Sequence, residues 1–228
     1  MSAKYYLQHI KNKLNLQHMN RPKPFLAQSL AVILAFSTVL SLAYILLLTT
    51  PGVAQTSYGK MLSDKAIELT RQRVKYDPSY YRIAYPNGDV PADRGVCTDV
   101  IIRTYRKLGI DLQKELHEDI SNNFSKYPKN WGLTKPDKNI DHRRVPNLMT
   151  FFSRYGEVKK VSLSASDYLP GDIVCWDLGK GVTHIGIVVD RKSADGKRNL
   201  IVHNIGNGQE ISDCLFQYKV IGHYFYKK

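Results

Sequence analysis

The longest apolar stretch of the chain runs from Phe25 to Leu48, 24 residues without a single Asp, Glu, Lys, Arg or His. As a helix it would reach about 36 Å, enough to cross a hydrocarbon core of ~30 Å. The segment before it carries Lys4, Lys11, Lys13, Arg21 and Lys23 and no acid. That asymmetry predicts a basic cytoplasmic segment over 1–24, a membrane-directed helix over 25–48 and an exported remainder. Two forms fit. One is an uncleaved signal anchor held in the inner membrane. The other is a signal peptide cut after Gly52-Val53-Ala54, with small residues at the −3 and −1 positions. Residues 49–57 then read as a linker and 58–228 as one domain.

The period changes beyond the linker. Over 58–76, Met61, Ala66, Ile67, Leu69 and Val74 recur at near-helical spacing among charges, which predicts an amphipathic helix lying on the domain. Proline and glycine signals from Asp77-Pro78 to Pro91 mark a turn-rich connection. Residues 97–109 place Val100, Ile101, Tyr105 and Leu108 on one helical face, with Gly109 as the stop. Residues 111–141 are polar and irregular and predict a long loop with one short helix near 113–124. Another short helix is predicted over 145–155. The remainder alternates with period two. Residues 171–177, 182–190, 199–204 and 219–226 are β-branched runs bounded by turns, which predict strands in an antiparallel meander. Helices followed by such a meander give the α+β class.

Composition narrows the chemistry. The chain has 228 residues and a net charge of +13, of which +8 falls on residues 55–228. A basic surface of this size can meet nucleic acid, anionic lipid or an acidic polymer. No nucleic-acid motif accompanies it, so that partner is the least supported. Three cysteines are too few for a disulfide-built scaffold. Cys175 and Cys214 could pair in an oxidising compartment and leave Cys97 free.

Cys97 opens a predicted helix, where unpaired N–H groups and the dipole favour thiolate over thiol. The same N–H groups can hold an oxyanion. On the strand over 182–190, His184 shares a face with Gly186 and Val188, while Ile185, Ile187 and Val189 form the other. His203 lies on the next strand of a hairpin, close enough to orient the His184 ring. A thiol, an imidazole and a polar orienter form the general pattern of an activated nucleophile. Asn204 is the alternative orienter. A metal site built from Cys97, His184 and His203 is a further alternative, although it lacks a fourth protein ligand. Asp99, in the first helical turn, complements the dipole. Asp99, Arg143 and Arg144 are the candidate substrate contacts, the arginines as bidentate partners of a carboxylate.

Six blocks carry a resemblance. They are VPADRGVCTDVIIR (90–103), DHRRVPNLMTFF (141–152), LPGDIVCWDL (169–178), THIGIVVD (183–190), VHNIG (202–206) and GHYFY (222–226). With them the chain resembles the exported bacterial proteins grouped as domain of unknown function 1287, over residues 60–226. That family in turn is similar to the NlpC-type, papain-like cysteine peptidases. The resemblance implies a compact α+β peptidase fold in the periplasm or on the outer face of the cytoplasmic membrane. It implies amide hydrolysis in peptidoglycan stem peptides with no cofactor. By the same likeness Cys97 is nucleophile, His184 base and His203 orienter. A non-catalytic envelope module binding peptides in the same groove is the competing expectation.

Overall fold

The computed structural model describes the backbone of residues 51–228 and the side chains of residues 57–228. The expected basic segment and membrane-directed helix lie outside these residues. Among the described residues no helix is long and apolar enough to cross a membrane. Residues Ala54–Lys228 form one compact unit.

Helix α1 spans Pro51–Leu69 and so includes most of the expected linker. It also ends seven residues earlier than its pattern suggested. Thr70 caps the last turn by donating its hydroxyl to the Ile67 carbonyl at 2.8 Å. Val74, five residues past Leu69 and out of helical phase, enters the core after the chain has turned. Strand β1 (Lys75–Tyr76) follows and pairs in parallel with β2 (Arg94–Gly95). Helix α2, Cys97–Arg106, begins directly after β2. Gly109, at φ +79°, closes its far end, because a left-handed residue is needed there. The short helix expected near 113–124 within the long loop is α3 (Leu112–Asn122), displaced by one residue at its start and two at its end. Asp111 caps it by accepting the Lys114 N–H at 3.1 Å. Helix α4, Val145–Tyr155, stops at Gly156 as its pattern predicted.

The six-stranded sheet contains β3 (Glu157–Val158), β4 (Ile173–Asp177), β5 (Thr183–Lys192), β6 (Asn199–His203), β7 (Glu210–Ser212) and β8 (Lys219–Phe225). Its order is β3-β8-β4-β5-β6-β7, and every pairing within it is antiparallel. β4 to β7 form the predicted meander. β8 departs from it and returns to the far side of β4. The fold is therefore mixed α and β, with four helices and an antiparallel sheet among the described residues.

Strand alternation divides the core in two. Ile173, Cys175, Ile185, Ile187 and Val189 pack with Cys97, Val100, Ile101, Leu148 and Phe152 from the helices. Val174, Trp176, Val188 and Ile201 pack on the opposite face with Tyr168, Cys214 and Leu215. Cys175 and Cys214 thus belong to different faces, and all three thiols are free. The sheet between them excludes the bridge that their compartment suggested, because bridged Cβ atoms must lie about 4 Å apart.

Candidate functional site

The start of α2 is built by two buried charges. Val96, the residue before Cys97, has no side chain able to cap a helix. The Asp99 carboxylate reaches back and accepts the Val96 N–H at 2.7 Å. Arg143 holds the same carboxylate through Nε at 3.0 Å and Nη2 at 3.0 Å. It also donates to the carbonyls of Ser79 at 2.9 Å and Asp77 at 3.2 Å. Asp99 and Arg143, expected to meet substrate, are thus buried against each other and bind the turn-rich segment to the start of α2. Arg144 is separate from them. It stacks on the exposed Trp131 ring at 4.8 Å, and its nearest acid is Asp141 at 3.5 Å.

Cys97 is 8% exposed and packs in the helix-side cluster with Ile185. Burial pushes its thiol up to about 12, against hydrogen bonds to the sulfur from the backbone of Ile185, Thr98 and Cys97 itself. This corrects the expectation of a sulfur acidified by the helix tip. Desolvation of a charged sulfur outweighs the dipole and the amide contacts, and the resting group is a thiol.

His184 lies one residue before Ile185 and faces the opposite side, paired across the strands with Trp176. The two rings are 5.7 Å apart. Its Nε2 meets Nδ1 of His203 at 2.8 Å. Of the two candidate orienters, His203 is therefore the one in contact with the His184 ring. Asn204 turns away, donating to the Gly95 carbonyl at 3.1 Å. Gly186 allows this contact, since a Cβ there would stand 2.6 Å from Cγ2 of Ile201 and 3.2 Å from Cβ of His203. Burial holds both imidazoles neutral, His184 at about 3 and His203 at about 4. The structure thus brings His184 and His203 into contact and seats Cys97 against the adjoining residue of the same strand. Among the described residues Cys97 and His184 share no hydrogen bond, and Nδ1 of His184 has no partner. The two rings spend a nitrogen each on one another. Among the described residues no group of three His, Cys, Asp or Glu is arranged to hold a metal.

Sequence reasoning missed what lies behind His203. Its Nε2 is 2.5 Å from Oγ of Ser212, 3.7 Å from Sγ of Cys214 and 3.9 Å from Oε1 of Glu210. These residues are on or just after β7, which pairs with β6 through His203 and Glu210. The Asn207-Gly208 step, a common hairpin signal, could have revealed that strand. Thr70, Arg73, Lys75, Asp93, Gly208 and Gln209 line a cavity of about 410 Å³, to whose wall Cys97, His184 and His203 do not contribute. Its walls continue from the β1–β2 pair just ahead of Cys97 and from the loop just after His203.

A family model described as a domain of unknown function, DUF1287, matches residues 63–226. The chain is also 48% identical over 172 residues to an uncharacterized protein, YijF, of Escherichia coli (strain K12). That alignment covers 75% of this chain and 83% of the relative. The chain belongs to the DUF1287 family.

Proposed function

Starting from a DUF1287 chain whose helix-start thiol abuts a paired-histidine strand, we propose an exported thiol hydrolase of papain-like, NlpC-type fold. It cleaves an amide bond in peptidoglycan stem peptides. The observation that carries this reading is the 2.8 Å contact between His184 and His203 on the strands next to Cys97. The uncharged run 25–48 behind five cations supports a periplasmic domain, tethered to the inner membrane if uncleaved.

The burial of the thiol sets the order of steps. Cys97 does not wait as a thiolate, so its proton moves to Nδ1 of His184 while sulfur attacks the amide carbonyl. The N–H groups at the start of α2 receive the oxyanion. His184 then protonates the leaving amine as the C–N bond breaks. Water, giving a proton to the same nitrogen, attacks the thioester and releases a carboxylate and the free thiol. His203 orients the ring throughout. Arg73 and Lys75 on the cavity wall suit the carboxylates of a stem peptide.

The test is digestion of purified sacculi by the full chain, wild type against Cys97→Ser, with mass analysis of the released fragments. Fragments from wild type alone support the reading, and identical outcomes for both proteins overturn it. The 8% exposure of Cys97 favours a second reading, a non-catalytic module that binds wall peptides in the same groove. In that case Cys97→Ser retains sacculus binding and neither protein releases fragments.

A further inference from the structure

We infer that Ser212, backed by Cys214, is a positioning residue that holds the His184–His203 pair in one tautomer, with the free lone pair on Nδ1 of His184. This rests on the reading of His184 as the base, because only that nitrogen is unspent.

The argument is a count of protons. A neutral imidazole carries one N–H, and one hydrogen occupies the 2.8 Å gap between Nε2 of His184 and Nδ1 of His203. If that hydrogen belongs to His203, then Nε2 of His203 is an acceptor and takes the Ser212 hydroxyl proton. His184 then carries its own hydrogen on Nδ1 and cannot receive another. If the hydrogen belongs to His184, everything reverses. His184 donates to His203, His203 donates from Nε2 to Oγ of Ser212 at 2.5 Å, and Nδ1 of His184 is left as a lone pair.

The surroundings of His203 select the second arrangement. It requires the Ser212 hydroxyl to donate elsewhere, and the Cys214 sulfur is placed to accept: Ser212 hydrogen-bonds to Cys214. The Glu210 carboxylate, 3.9 Å from Nε2 of His203, favours a hydrogen on that nitrogen and repels a lone pair. The groups facing His203 are thus His184, Ser212, Glu210 and Cys214; Ser212 and Cys214 each carry a proton, and Glu210, an acceptor only, is the group that favours a hydrogen on Nε2. Trp176, Val188 and Ile201 form the apolar wall of this face. His184 and His203 are themselves buried, so the protein groups around them bias the direction of the row.

The test is nitrogen-15 NMR of the full chain at neutral pH, labelled at histidine, which reads each ring nitrogen as protonated or bare. The expected wild-type spectrum has Nδ1 bare and Nε2 protonated on His184, and the same on His203. Ser212→Ala removes the strong acceptor and turns this single state into a mixture of both tautomers. Ser212→Thr keeps the hydroxyl and the single state. Should Ser212→Ala fail to fold, Cys214→Ala replaces it. That variant frees the Ser212 hydroxyl to turn back on His203 and gives a mixture in the same direction. A protonated Nδ1 on wild-type His184, or an unmixed spectrum in the alanine variant that folds, overturns the inference. No substrate enters the measurement. An inactive wild type with the expected spectrum would sink the hydrolase and leave the proton row standing.

Discussion

Both faces of the six-stranded sheet carry a buried apolar cluster, and they treat their polar groups in opposite ways. On the helix-covered face Cys97 and Cys175 lie among Val100, Ile101, Ile185 and Ile187. Burial raises both thiols, because no charged partner replaces the lost water. On the other face His184 and His203 are buried, with Ser212 half-buried beside them, and each passes a hydrogen bond to the next. A buried polar group persists when its partners are built in. A helix N-terminus contributes about 0.3–2 kcal/mol to an adjacent negative charge, which is too little to ionise a sulfur packed in a core. The thiol is thus held protonated and the histidine row hydrogen-bonded, and the proposed proton transfer has to run at the His184–Ile185 step, where the Ile185 backbone meets the Cys97 sulfur.

The largest break in this comparison comes on the helix side. Arg143→Ala leaves the Asp99 carboxylate buried without its cation and frees the carbonyls of Asp77 and Ser79. Removing one partner of a buried pair costs about 3–5 kcal/mol, read as a lower midpoint in urea. Arg143→Lys restores charge without the two-pronged geometry, so it recovers part of that loss. Equal stability of Arg143→Ala and wild type would show that α2 is held by packing alone.

A smaller break falls on the histidine side. Gly186→Ala places a methyl group 2.6 Å from Cγ2 of Ile201 and 3.0 Å from the Val202 carbonyl oxygen. Overpacking of this kind costs about 1–3 kcal/mol. It also pushes β6 from β5 and loosens the contact between the rings, which the same urea titration and the histidine spectra would register. An unshifted midpoint would mean that β6 can yield without cost.

How much of this was legible in the sequence differs between the faces for a physical reason. Alternation along 183–190 separated His184 from Ile185 before any coordinates, because strand period is a property of single residues. Helix α2, its Gly109 stop and the end of α4 were legible for the same reason. The acidified Cys97 was misread, because helix position is local and desolvation is not: it depends on Ile185 and Cys175, 88 and 78 residues away. The roles of Asp99 and Arg143 were hidden likewise, since two charges 44 residues apart look free until the fold pairs them. The Gly171-Asp172 turn resembled a family signature with no stated task. In the fold Asp172 accepts from His223 at 2.7 Å, from Lys159 at 2.8 Å and from the Leu169 N–H at 2.9 Å. It ties the first residues of β4 to β8, a pairing that skips three strands.

Acid sharpens the comparison with the smallest effect per residue. His184 and His203 sit on one side of the sheet. His142 sits in the turn before α4, also buried and lowered to about 3 by burial and then by Arg143. All three take up protons near 6.5 when unfolded and near 3–4 when folded. A lowered folded value means that their contribution is fully present above about 6.5 and is lost as pH falls toward 3–4. Between these limits each histidine adds up to about 1.4 kcal/mol of lost stability per pH unit. Urea midpoints measured from pH 7 to pH 4 should therefore fall steeply. His142→Gln removes one proton from that slope and leaves the His184–His203 contact untouched, so its curve runs flatter by up to about 1.4 kcal/mol per pH unit. A slope unchanged by the substitution would mean that His142 is protonated in the folded chain. The helix side would then hold a buried cation that its surroundings do not explain.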